Sequence, residues 1–104
     1  MDNFNNNNFF IPLATDSEIA KERQVARELR KTRWWKEKIG KGECYYCGEK
    51  FPSTELTMDH VVPLIRGGKS TKGNIVAACK TCNSQKKHML PMEWTEYLEN
   101  LKNK

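Results

Sequence analysis

The sequence predicts a small α+β domain: two short strands and a following helix, clasped by a four-cysteine metal site and flanked by further helices. Three observations predict it. The four cysteines fall into two Cys-x-x-Cys pairs, Cys44/Cys47 and Cys79/Cys82, which enclose a long loop. Leu56 to Val62 is rich in strand-forming residues and stops at Pro63, and Asn74 to Ala78 reads as a second short strand. Helical patterns lie on both sides of this unit.

With 104 residues, 38% of them hydrophobic and 30% charged, one domain is expected. So short a chain buries a modest fraction of its surface, and a metal staple would supply a large share of its stability. Residues 1–14 open with Asn3 and Asn5 to Asn8, a composition that buries little and reads as a flexible tail. The single domain is then expected over residues 15–104.

Thr15-x-x-Glu18 has the form of a capping box and predicts one basic helix over residues 15–40, closed by Gly40 and Gly42. Ile19, Val25, Ala26 and Leu29 supply its apolar positions. Its cations, among them Arg23, Arg27 and Arg30, read as a basic arm along a phosphate backbone or, equally, as ordinary helix support. Trp34 and Trp35 read as packing anchors rather than base-stacking platforms.

The first cysteine pair follows, and Gly48 after Cys47 lets the backbone turn its N–H groups toward the sulfurs. Four thiolates leave zinc no open position, so a structural Zn²⁺ is expected on Cys44, Cys47, Cys79 and Cys82; an iron site, a redox pair and free thiols are the rivals. After the strand at 56–62, Arg66 to Gly73 is loop. Gly68-Lys69-Ser70 has the look of a phosphate-binding P-loop, but Pro63 stands where its first glycine belongs and no strand-loop-helix surrounds it. Lys80 to Met89 reads as a helix stopped by Pro91. Residues 92–102 form a last amphipathic helix with Trp94, Tyr97, Leu98 and Leu101 on one face.

Net charge is +5, and its distribution matters more than its sum. Between Met58 and His88 the lone acid is Asp59, set among Arg66, Lys69, Lys72, Lys80, Lys86 and Lys87. One carboxylate in a basic field suits a polyanionic partner with a cation placed in its midst, although a merely solubilising surface has the same charge. No secretory signal and no membrane-spanning run are visible, so a reducing, cytoplasmic setting without membrane contact is expected.

Asp59 and His60 lie on the first strand, and Asn83 follows the last cysteine at the start of a helix. A hairpin followed by a helix brings Asp59 and Asn83 together, and their oxygens suit a hard cation such as Mg²⁺. A neutral imidazole suits removal of a proton from water. Neighbours on a regular strand point to opposite faces, so Asp59 and His60 share a site only where the strand bends or ends, or where a phosphate lies between them. Taken singly, each residue is an ordinary hydrogen-bonded or turn residue; their ordered co-occurrence with the cysteine pairs carries the functional reading.

Asp59-His60-Val61-Val62-Pro63-Leu64, Gly67-Gly68, Asn74-Ile75 and Cys79-Lys80-Thr81-Cys82-Asn83-x-x-Lys86 closely resemble the HNH endonuclease family over about residues 44–90. The resemblance implies a β-β-α metal-finger fold and hydrolysis of phosphodiester bonds in DNA. It implies His60 as general base, Asp59 and Asn83 as ligands of one catalytic divalent ion (Mg²⁺ or another such as Mn²⁺), and Asn74 as the residue that holds the loop and orients the His60 ring. The third signature position is Asn83 rather than histidine. Arg66, Lys69, Lys72, Lys86 and Lys87 are the expected phosphate contacts. A homodimer would turn paired single-strand cuts into a double-strand break. The rival functions are a zinc-containing nucleic-acid-binding module without catalysis and a small protein-interaction domain.

Overall fold

The computed structural model describes residues 13–103; the Asn-rich tail expected at the N-terminus lies, apart from Leu13 and Ala14, outside them. Helix α1 (Asp16–Arg30) opens on the expected capping box. The Glu18 amide donates to Thr15 Oγ1 at 3.1 Å, and the Thr15 amide donates to the Glu18 carboxylate at 2.8 Å.

The single helix expected over residues 15–40 is two. The chain leaves helical geometry at Thr32 (φ −84°, ψ 157°), and α2 (Arg33–Gly40) starts anew. Thr32 is the cause. Its hydroxyl donates to Leu29 O at 2.6 Å and accepts from the Trp35 amide at 3.3 Å, so one side chain closes α1 and caps α2. The break turns Trp35 into the core at 6% exposure, with Trp34 packed against its edge.

Strands β1 (Leu56–His60) and β2 (Ile75–Cys79) pair antiparallel, from Leu56 opposite Cys79 to His60 opposite Ile75. β1 ends at His60, two residues short of the expected Val62. Helices α3 (Lys80–Lys86) and α4 (Pro91–Lys102) complete the chain. α3 follows β2 without a loop because Cys79 is both the last strand residue and the helix cap, its sulfur accepting from the Cys82 amide at 3.4 Å. The observed order is therefore a β-β-α unit with α1 and α2 before it and α4 behind it.

β2 is buried along its whole length, and the core forms around it from Trp35, Cys44, Leu56, Ile75, Ala78 and Trp94. Between the strands the chain turns through Gly67 and Gly68. A side chain at Gly68 would meet Val62 O at 1.8 Å, so only glycine permits this close approach. Among the described residues no helix is long and apolar enough to cross a membrane.

Candidate active site

Residues 44–48 form a tight knuckle. The Gly48 amide bonds to Cys44 O at 2.9 Å, and Gly48 takes φ +73°, a conformation its missing Cβ allows. Opposite it, the junction of β2 and α3 presents Cys79 and Cys82. The sulfurs of Cys44, Cys47, Cys79 and Cys82 all lie within 4.8 Å of one another. Tetrahedral zinc with sulfurs at about 2.3 Å holds them about 3.8 Å apart, so the cluster suits a structural metal such as zinc. Burial alone would raise the Cys44 thiol, but N–H bonds from the backbone at Cys47, Cys79 and Tyr46 outweigh it and hold it down at about 7. Burial, then neighbouring sulfurs, push Cys82 up.

The second site lies at the far end of β1. Asp59, His60 and Asn83 line one cleft of about 350 Å³, together with Arg23 and Lys87. Alternation along the strand is respected. Asp59 turns toward Lys86 of α3, and His60 turns toward Ser70 and α1. Because the strand stops at His60, the cleft opens over its end and both residues reach it.

Asp59 is 7% exposed. Its Oδ2 receives the Tyr46 hydroxyl and lies 3.2 Å from Lys86 Nζ. Oδ1 has no partner among the described residues. Asn83 is oriented by Thr57. The Thr57 hydroxyl donates to Ala78 O at 2.9 Å, so its oxygen must accept from Asn83 Nδ2, also at 2.9 Å. Asn83 Oδ1 is then the atom left for the cleft. His60 Nε2 lies 2.9 Å from Ser70 Oγ, and burial, aided by Arg30, holds the imidazole below its usual pKa against the pull of Asp59 and Glu22.

Asn74 does hold the loop. Its Oδ1 accepts from the Val62 amide at 2.9 Å, and its Nδ2 donates to Val62 O and Lys69 O. Among the described residues it makes no hydrogen bond to the His60 ring, whose polar contact is Ser70 Oγ.

Two of the expected phosphate contacts are engaged within the protein. Lys86 is fully buried, with Nζ 3.2 Å from both Asp59 Oδ2 and His60 O and 5.6 Å from the centre of the Tyr46 ring. It faces inward because Asp59, buried beside it, needs a partner charge. Arg66 is engaged bidentately by Glu93 at 3.1 Å and by His88 O at 3.2 Å, which ties the loop to α4. Lys69, Lys72 and Lys87 are exposed as expected. Sequence reasoning missed Tyr46, Thr57 and Ser70, none of which has a spacing that marks it. It left open the role of α1, where Arg23, Arg27 and Arg30 share one face and line a cavity beside His60.

A β-β-α finger clasped by four cysteines, with an Asp-His pair and an Asn at one cleft, defines a metal-finger nuclease class. The comparison with known families agrees: residues 44–99 match the HNH endonuclease family, and the chain belongs to it. It is also 40% identical over 45 residues to the CRISPR-associated endonuclease Cas9 of Corynebacterium diphtheriae, a stretch that covers 42% of this chain and 4% of that much longer protein. Membership supports nuclease function in general; neither similarity supports a homodimer.

Proposed function

We propose that the protein is a metal-dependent endonuclease that hydrolyses phosphodiester bonds in DNA. One observation carries this reading: the cleft at the end of β1 is lined at once by a carboxylate, an imidazole and an amide whose oxygen is turned free. Asp59 and Asn83 are the residues that would hold a divalent cation, and a carboxylate with an amide oxygen suits Mg²⁺ or Mn²⁺. Such a cation supplies charge neutralisation at the scissile phosphate and at the departing oxygen. His60 removes a proton from water as the water oxygen bonds to phosphorus. The bond to the 3′ oxygen breaks, and that oxygen takes a proton from solvent, leaving 5′-phosphate and 3′-hydroxyl ends. Cys44, Cys47, Cys79 and Cys82 would hold a structural zinc, which would brace the knuckle that carries Tyr46 to Asp59.

Lys69, Lys72 and Lys87 remain the phosphate contacts proposed from the original five. Arg23, Arg27 and Arg30 join them, since they stand beside His60 where a bound strand would run.

Supercoiled plasmid with zinc-loaded protein tests the reading. Nicking or linearisation that requires Mg²⁺ or Mn²⁺ is expected, with a loss on the order of 10²- to 10⁴-fold in folded His60→Ala. Salt-sensitive DNA binding without cleavage under any cation would replace the nuclease with a binding module.

A further inference from the structure

Ser70 belongs to no part of the reaction described so far, yet it is 6% exposed and sits between the general base and helix α1. Its Oγ lies 2.7 Å from the main-chain oxygen of Glu22 and 2.9 Å from His60 Nε2. Its amide donates to Glu22 Oε1 at 2.6 Å. Two oxygens cannot rest at 2.7 Å without a proton between them. A carbonyl has none, so the Ser70 proton is committed to Glu22 O. The contact from Ser70 Oγ to His60 then needs a proton of its own, and it can come from the ring alone. His60 therefore carries its proton on Nε2.

Taking His60 as the base of the proposed nuclease, we infer that Ser70 is its positioning residue: the Ser70 hydroxyl, anchored on helix α1, holds the imidazole as the Nε2–H tautomer and leaves the Nδ1 lone pair to face the water. Free imidazole in solution exchanges between two tautomers and rotates. Here one oriented acceptor selects one tautomer and one ring plane, as second-sphere partners of histidine do elsewhere. When Nδ1 takes a proton the ring keeps its bond to Ser70, so the clamp serves both protonation states. The anchor lies outside residues 44–99, so α1 becomes part of the active site rather than an appendage to it. The Gly67-Gly68 turn and the Asn74 bond to Lys69 O fix the segment that delivers Ser70.

Imidazole ¹⁵N shifts read the tautomer directly. Protein labelled at its two histidines is measured at a pH where the ring is neutral, with His60→Gln assigning the resonance. The expected wild-type spectrum has the proton on Nε2. Ser70→Ala should move His60 toward the free-imidazole mixture and lower kcat by about 10- to 100-fold with KM little changed, while Ser70→Thr, which keeps a hydroxyl, should retain both the tautomer and the rate. A wild-type ring protonated on Nδ1 overturns the inference whatever the cleavage assay gives. So does Ser70→Ala that cleaves at the wild-type rate, or that loses rate with an unchanged tautomer. Cleavage surviving in His60→Ala would instead remove the proposed role of His60, and the spectrum would still decide the clamp.

Discussion

A hydroxyl carries one proton, and that limit decides where the Asn83 amide oxygen points. Thr57 gives its proton to Ala78 O and so must face the Asn83 nitrogen. Thr57→Val keeps the shape and removes the acceptor, which frees the amide to turn. Mn²⁺ affinity measured by calorimetry should fall about 10- to 100-fold with the fold intact; unchanged affinity would mean Asn83 is oriented some other way or is no ligand. Residue chemistry of this kind was only half legible in the sequence. Asp59, His60 and Asn83 stand in a marked order along the chain, and the structure brings them to one cleft. Thr57, Tyr46 and Ser70 meet Asn83, Asp59 and His60 through hydrogen bonds across 26, 13 and 10 residues of sequence, and no spacing announces such a partner. Lys86 misled for a related reason. It sits in a run of cations that looks solvated, yet its position on α3 points it at Asp59, and a buried carboxylate governs the direction of the side chain more strongly than the composition around it.

At the scale of elements, cations divide into those that tie one element to another and those that make no such tie among the described residues. Arg66 is the first kind. Its bidentate bond holds the Glu93 carboxyl below the usual range, so whatever this pair adds to stability is present above the unfolded carboxylate pKa and lost as pH falls through the lowered one. Arg23, Arg27 and Arg30 are the second kind, spaced i, i+4, i+7 along α1 so that all three line the cavity beside His60. Replacing these three with alanine should weaken DNA binding across sequences and reduce the magnitude of the log K against log salt slope by about 2 to 3, whereas Arg66→Ala should leave the slope nearly unchanged while lowering the thermal midpoint. Equal slopes for the two variants would reject the division. The helix periodicity of α1 was readable in advance; its end was not. Thr32 has no special rank within a helical run, and it becomes a boundary because its hydroxyl serves Leu29 O and the Trp35 amide at once, which lets Trp35 turn into the core. β1 also stops early, and that early stop is what lets Asp59 and His60 open onto one cleft.

For the whole molecule, the small core gives the cysteine cluster a place as a brace. The sheet has two strands, and only β2 is buried throughout; an isolated pair of strands is marginal in water without further support. The cluster joins the knuckle at Cys44 and Cys47 to the β2–α3 junction at Cys79 and Cys82, which the chain otherwise connects only through the whole hairpin. The knuckle also carries Tyr46, which touches Asp59 through its hydroxyl and Trp94 of α4 through its ring at 5.6 Å between centroids. One residue thus links the cysteine cluster, the candidate cation ligand and the last helix. Loss of the brace should therefore act on stability and on the cleft together. Cys79→Ser, or treatment with a strong zinc chelator, should abolish the cooperative thermal transition and the circular dichroism of the folded state, because binding free energy for a structural zinc is folding free energy, about 10–16 kcal/mol in small zinc-finger peptides. Zinc returned to the chelated wild type should restore both signals and DNA cleavage, while zinc added to Cys79→Ser should restore neither in full. A folded, cooperatively melting protein that contains no zinc would show that the core around Trp35, Ile75 and Trp94 suffices, and the cysteines would then need another explanation.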